Sequence, residues 1–131
     1  MNFRRATIND LPEIVRLLAD DELGAQRERY EDPLPHTYTE AFEAIEAQVG
    51  NQILLAVEDE CVMGCIQLTI IPSLSRQGMK RMQIEGVRVA QNYRGNKVGE
   101  AMLKEAIAIA KSEGCGPVSY THLTLPTTIL V

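Results

Sequence analysis

The stretch that most limits what this chain can become is 84-IEGVRVAQNYRGNKVGEAMLKEA-106. It reads as a strand, a short basic turn with two glycines, and an amphipathic helix. In the helix Met102, Leu103, Ala106, Ile107 and Ala110 form one wide apolar stripe, a face that must be covered by another layer. In the preceding strand, predicted over 79–89, period-two alternation puts Arg81, Gln83, Glu85, Val87 and Val89 on one face. Met82, Ile84 and Gly86 take the other. Glu100 and Lys104 add an exposed pair worth about a few tenths of a kcal/mol, and Gly114 fits the C′ position that releases the chain from the helix.

The rest of the chain supplies partners for this unit. Residues 3–6 predict a first strand. Asp10 and Glu13 have capping-box spacing with Pro12 in the first turn. Leu11, Ile14, Val15 and Leu18 then share a helical face, and the helix is predicted to end before Gly24. A polar loop with Pro33 and Pro35 spans 26–36. A second helix is expected over about 39–49, with Phe42, Ile45 and Val49 as its stripe and Gly50-Asn51 as its stop. Segments 53–58 and 61–71, rich in branched apolar residues, read as an antiparallel hairpin turning at Asp59-Glu60. Gly64 inside it marks a bulge or a close backbone approach. The order is strand, two helices, hairpin, strand, helix. It predicts an α/β domain with a mixed, mostly antiparallel sheet flanked by helices.

At 131 residues the chain holds one domain. With 45% hydrophobic and 24% charged residues it has the balance of a globular core rather than a disordered segment. No run of 18 apolar residues exists, so no membrane association is expected. Cys61, Cys65 and Cys115 are an odd number, which points to free thiols and a cytoplasmic setting. Cys61 and Cys65 fall on one strand face, but no histidine pair or second cysteine cluster joins them as metal ligands, and no metal is expected.

Net charge is −5, against general nucleic-acid binding, yet its distribution is uneven. Residues 1–75 carry −9, residues 76–97 carry +5 with Glu85 as their only acid, and 98–131 carry −1. From 88 to 99, Arg88, Arg94 and Lys97 meet no carboxylate in the sequence. Free backbone donors at a helix start beside these cations make a physical phosphate site, and Gly95 and Gly99 allow close approach. An ordinary solvated strand-to-helix connection fits the same residues. Neither the P-loop nor the Gly-x-Gly-x-x-Gly pattern is present, and no Gly-x-Ser-x-Gly elbow supports a hydrolase.

Residues 87–99, VRVAQNYRGNKVG, resemble the acetyl-CoA-binding motif Arg/Gln-x-x-Gly-x-Gly/Ala of the GNAT superfamily of N-acetyltransferases. Arg94 matches its first position and Gly99 its last, while Lys97 stands where a middle glycine is usual. The element order over 3–113 is similar too. The resemblance implies an acyl-CoA N-acyltransferase-like fold and transfer of an acetyl group from acetyl-CoA to a small-molecule or peptide amine. It implies that the backbone at Val87 and Val89 meets the pantetheine arm. Arg94, Gly95, Asn96, Lys97, Val98 and Gly99 would hold the pyrophosphate, largely through amides. It also implies a carboxylate base for the attacking amine. Glu85 is the candidate; its competing reading is an ion pair with Arg81 or Arg88. Tyr93 reads as a packing or turn residue. His36 is a candidate substrate contact, and no role is given to Tyr120 or His122. A non-catalytic acyl-CoA-binding or regulatory module is the alternative function.

Residues 114–131 contain no Asp, Glu, Lys or Arg. The family continues past this helix with a strand, a helix and a final strand, which 18 residues cannot hold. Residues 118–128, VSYTHLTLPTT, resemble an adapter-derived tail carried by truncated library sequences. The expectation is therefore an acetyltransferase-like domain over 1–117 lacking its last elements, then a foreign tail over 118–131. Alternating Val118, Tyr120, His122 and Thr124 allow a further strand there. An uncovered sheet edge would favour aggregation or a swapped homodimer.

Overall fold

The computed structural model describes residues 1–121 and 126–130, with side chains described through Val118. Its centre is a six-stranded sheet in sequential order: β1 (Asn2–Arg5), β2 (Asn51–Glu58), β3 (Cys61–Pro72), β4 (Lys80–Val89), β5 (Cys115–Thr121) and β6 (Pro126–Leu130). All neighbours are antiparallel except β4 and β5, which run parallel because the chain crosses over through helix α5 (Val98–Ser112). The expected α/β class with a mixed, mostly antiparallel sheet is what the chain forms.

Helices cover the two faces unequally. Helices α1 (Leu11–Leu18), α2 (Glu22–Arg27) and α3 (His36–Ala47) lie before the hairpin in sequence. Leu11, Ile14, Val15 and Leu17 of α1 and Phe42 of α3 pack with Leu55, Cys65 and Ala90 in one apolar layer. The other face packs Leu54, Ile66, Leu68, Met82 and Ile84 against Val98, Met102, Ala106 and Ala110 of α5. Gly64 lets that helix sit close: a Cβ placed on it would meet Met102 Cε at 3.0 Å and Arg88 O at 2.8 Å. Both readings of Gly64 hold, since the β2–β3 register also slips beside it, with Ala56 opposite Gly64 but Val57 opposite Val62.

That slip corrects the expected cysteine pair. Val62, not Cys61, shares the α1 side with Cys65, while Cys61 is exposed. The first helix ends before Gly24 as expected, at Leu18, and Asp21 starts a further short helix by accepting a hydrogen bond from the Gly24 amide at 2.5 Å. Gly24 is buried inside α2, where an added Cβ would lie 1.9 Å from Leu18 O. Asp10 does not box with Glu13. Its carboxylate accepts from the Thr7 amide at 2.8 Å and from Arg4 at 2.8 Å, while Glu13 pairs with Arg16. Helix α3 ends two residues before Val49, which is left 97% exposed rather than joining an apolar stripe. The β3–β4 link holds only a one-turn segment, α4 (Ser75–Gly78), with Arg76 and Gln77 in the left-handed region.

Beyond residue 117 the backbone continues as sheet: β5 pairs Met82 with Val118 and Ile84 with Tyr120, and β6 adds an antiparallel edge. The strand reading of the tail thus describes the backbone through Thr121, whereas His122 and Thr124 lie outside the described residues.

Candidate active site

Two irregularities of β4 create the site. The first is a one-residue bulge. Cys65 lies opposite Arg88 and Gln67 opposite Glu85, so a step of two residues on β3 faces a step of three on β4. Gly86 absorbs the extra residue with φ of +61°, a conformation that glycine adopts without penalty from a side chain. The bulge overturns the simple alternation expected for this strand. Val87 and Val89 join Met82 and Ile84 against the α5 layer. Arg88, opposite Cys65, joins Glu85 on the side of α1 and α3.

The second irregularity is a split. Pairing of β4 with β5 runs from Lys80 to Ile84 and ends there. From Glu85 to Val89 the edge turned away from β3 has no strand partner among the described residues. The Val87 and Val89 carbonyls accept from the Arg88 and Arg94 side chains at 2.9 and 3.2 Å, which leaves the amides of that edge for a ligand. This places the open edge of Val87 and Val89 directly before the turn.

The turn itself is shaped by positive φ angles at Gly95 (+86°) and Lys97 (+61°). Lys97, the residue that stands in place of the middle glycine, is in the left-handed conformation and caps α5. The Arg94 and Asn96 amides close local turns onto Gln91 O and Tyr93 O, each at 3.3 Å. No described backbone carbonyl accepts from the amides of Gly95, Lys97, Val98, Gly99 or Glu100; the first helical bond is Ala101 to Lys97 O at 3.0 Å. These donors border a cleft of about 350 Å³ lined by Val89, Tyr93, Arg94, Gly95, Lys97, Val98 and Gly99. A Cβ on Gly95 would touch nothing within 4 Å, and one on Gly99 would meet only Val89 Cγ2 at 3.7 Å. The glycines therefore keep space open toward the cleft rather than serving internal packing. Room, free amides and cations suit the diphosphate of an acyl-CoA.

The charges are not as isolated as the sequence segment suggests. Arg94 Nη2 reaches Asp20 Oδ2 at 3.3 Å and Arg88 Nε reaches Asp21 Oδ2 at 3.5 Å, both from the α1–α2 loop. Lys97 has no carboxylate partner among the described residues. Glu85, half-buried opposite Gln67, forms no ion pair with Arg81 or Arg88, so the competing reading of that residue is not what the structure adopts. Gln67 instead donates to Asn51 Oδ1 at 3.1 Å, as does Thr69 at 3.3 Å.

Other candidates fall away from this centre. Burial pushes the Cys65 thiol up to about 12, so it stays protonated and lies 3.6 Å from the carbonyl of Gly86 as a weak donor. Tyr93 packs at the turn between both apolar layers, and Cys61 beside its hydroxyl raises its pKa. His36 begins α3, and the side chains of Tyr120 and His122 lie outside those described. Sequence reading missed Asp20 and Asp21; the only local signal was the helix-capping potential of Asp21 ahead of Gly24.

The family model for the acetyltransferase (GNAT) family matches residues 13–128, most of the chain. The chain belongs to the GNAT acetyltransferase family. Its general activity is acetyl transfer, and the family draws on acyl-CoA and acts on amine acceptors. A transcriptional regulator from Bacillus halodurans C-125 is 41% identical, with a TM-score of 0.90 over 94% of this chain and 82% of that one. Glucosamine-6-phosphate N-acetyltransferase from Arabidopsis thaliana (20% identity, TM-score 0.75, 94% and 82% covered) shares the fold. So does a predicted acetyltransferase with acetyl-CoA from Clostridium acetobutylicum (18%, TM-score 0.71, 92% and 80%). No curated protein matches the sequence. Among the described residues of this GNAT domain, no helix is long and apolar enough to cross a membrane.

Proposed function

We propose that this GNAT domain transfers the acetyl group of acetyl-CoA to the primary amine of a small molecule or peptide. The observation that carries the proposal is continuity. The edge of β4 over 85–89 that lacks a strand partner leads through one short turn to the unclaimed amides of Gly95 and 97–100 and the cleft beside them. An extended polar arm ending in a diphosphate needs this sequence of groups.

Acetyl-CoA, when bound, supplies an activated thioester. The Val87 and Val89 backbone amides would hold the pantetheine arm, and Gly95, Lys97, Val98 and Gly99 would donate to the diphosphate while Arg94 and Asn96 complete the turn. The Lys97 ammonium adds positive charge where the backbone alone would serve. Glu85 then acts as the general base. Its carboxylate has no ion-pair partner among the described residues, faces the α1/α3 side at the first residue of the open edge, and accepts the proton of the incoming amine directly or through one water. Placing the base on the strand opposite the side chains of Val87 and Val89 separates proton removal from cofactor packing.

Calorimetry tests the donor and a thioester-consumption assay tests the reaction. Acetyl-CoA and CoA should bind with similar heat and ATP far more weakly. Addition of a small or peptide amine should then release the CoA thiol. Binding without transfer to any amine would leave an acyl-CoA-binding module; the absence of acetyl-CoA binding would remove the proposal altogether.

A further inference from the structure

The α1–α2 loop is fastened by charge to the segment assigned above to the donor. Arg94 bridges Asp20 Oδ2 (3.3 Å) to the carbonyl of Val89, to which its Nε donates at 3.2 Å. Arg88 Nε stands 3.5 Å from Asp21 as an ion pair without a hydrogen bond, while its Nη1 donates to the carbonyl of Val87 at 2.9 Å. The two fastenings differ. The Arg88 side chain is 16% exposed and Asp21 is also held by capping α2, whereas Arg94 is 48% exposed and is the sole side-chain partner of Asp20 among the described residues. Arg94, unlike Asp20, lines the cleft. Leu18, just before the loop, lies beside Gly86, where an added Cβ would stand 3.9 Å from Leu18 Cδ2. The loop therefore sits next to the residue that follows Glu85.

We infer that Asp20 is a positioning residue that couples donor binding to access at the acceptor face. Resting on the acetyl-CoA reading, the mechanism is a competition for one guanidinium. A diphosphate in the cleft offers more negative charge than one carboxylate and also meets Lys97 and several free amides, so it takes Arg94. Asp20 is then left facing an anion of its own sign. The loop releases at Asp20 and pivots on the better-shielded Arg88–Asp21 pair, uncovering the side of β4 that carries Glu85.

The test measures CoA affinity by calorimetry and hydrogen exchange of residues 18–28 in the full chain, for wild type, Asp20→Asn and Asp20→Glu. In wild type, saturating CoA should speed exchange in that segment. Asp20→Asn should exchange fast without CoA and bind CoA about fivefold more tightly, the scale of one exposed ion pair. Its amine KM should no longer depend on acetyl-CoA concentration, and Asp20→Glu should restore wild-type behaviour in every readout. CoA binding to wild type with unchanged or slower exchange over 18–28, or an Asp20→Asn variant that binds CoA no more tightly, would overturn the coupling while leaving the acetyltransferase reading intact. Failure of wild type to bind CoA would overturn both.

Discussion

The two halves of β4 are one strand with two environments. Lys80–Ile84 is bonded to β3 on one side and β5 on the other, and its apolar residues Met82 and Ile84 are fully enclosed. Glu85–Val89 keeps β3 but loses β5, and none of its residues is fully buried. Backbone satisfaction explains why the halves differ in use. A strand paired on both sides has no hydrogen-bonding capacity left for a ligand, whereas a strand with one vacant edge keeps it in a fixed, repeating geometry. The closed half anchors the open half, so the open edge stays rigid without a strand beside it.

The contrast can be broken most strongly at its closed end. Met82→Ala removes a side chain with no exposed surface and should lower stability by about 2–5 kcal/mol, read from denaturant midpoints. Folded molecules should keep their CoA affinity; a loss below about 1 kcal/mol would mean this half is not the anchor. In the open half, Glu85→Gln should lower kcat by about 100-fold across the pH profile with little change in thermal stability. A loss under about tenfold would remove Glu85 as the base. Next in size, Gly99→Phe should fold normally, since only Val89 Cγ2 lies near the new Cβ. It should nevertheless weaken acetyl-CoA binding by about tenfold, equivalent to 1.4 kcal/mol. The smallest effect sits away from both halves, as a control. Arg4 holds the Asp10 carboxyl down to about 2. Its stabilising contribution is present above the ordinary carboxylate pKa of about 3.9 and is lost as pH falls toward 2. Asp10→Asn should therefore be less stable at neutral pH by no more than about 1 kcal/mol and lack that acid loss, with CoA affinity unchanged.

What the sequence made legible was local. The stripe of Met102, Ala106 and Ala110, the turn around Gly95, the hairpin at Asp59-Glu60 and the order of elements all follow from neighbours within a few positions. The faces of β4 were not legible, because period-two counting assumes an unbroken ladder. A glycine inside the strand was the one sign that a residue had been added, and only the register against β3 shows where. The charge balance of the turn was hidden for a different reason: Asp20 and Arg94 lie 74 positions apart and meet only once α1 packs on the sheet. Gly24 marked correctly that the first helix ends before it, but not that it would be buried inside a further short helix against Leu18 O.

The extra residue at Gly86 has a consequence for how such a chain tolerates length changes. Strand chemistry is written in odd and even positions, and the bulge shifts that phase once, between the base and the donor-binding stretch. Drawing Gly86 into a regular ladder would keep every amino-acid type in the motif yet rephase it, turning the Arg88 guanidinium into the oily layer beneath α5 and Val87 and Val89 out of it. Deleting Gly86, by contrast, would close the bulge and leave those faces as they are. For this strand, counting residues matters as much as naming them.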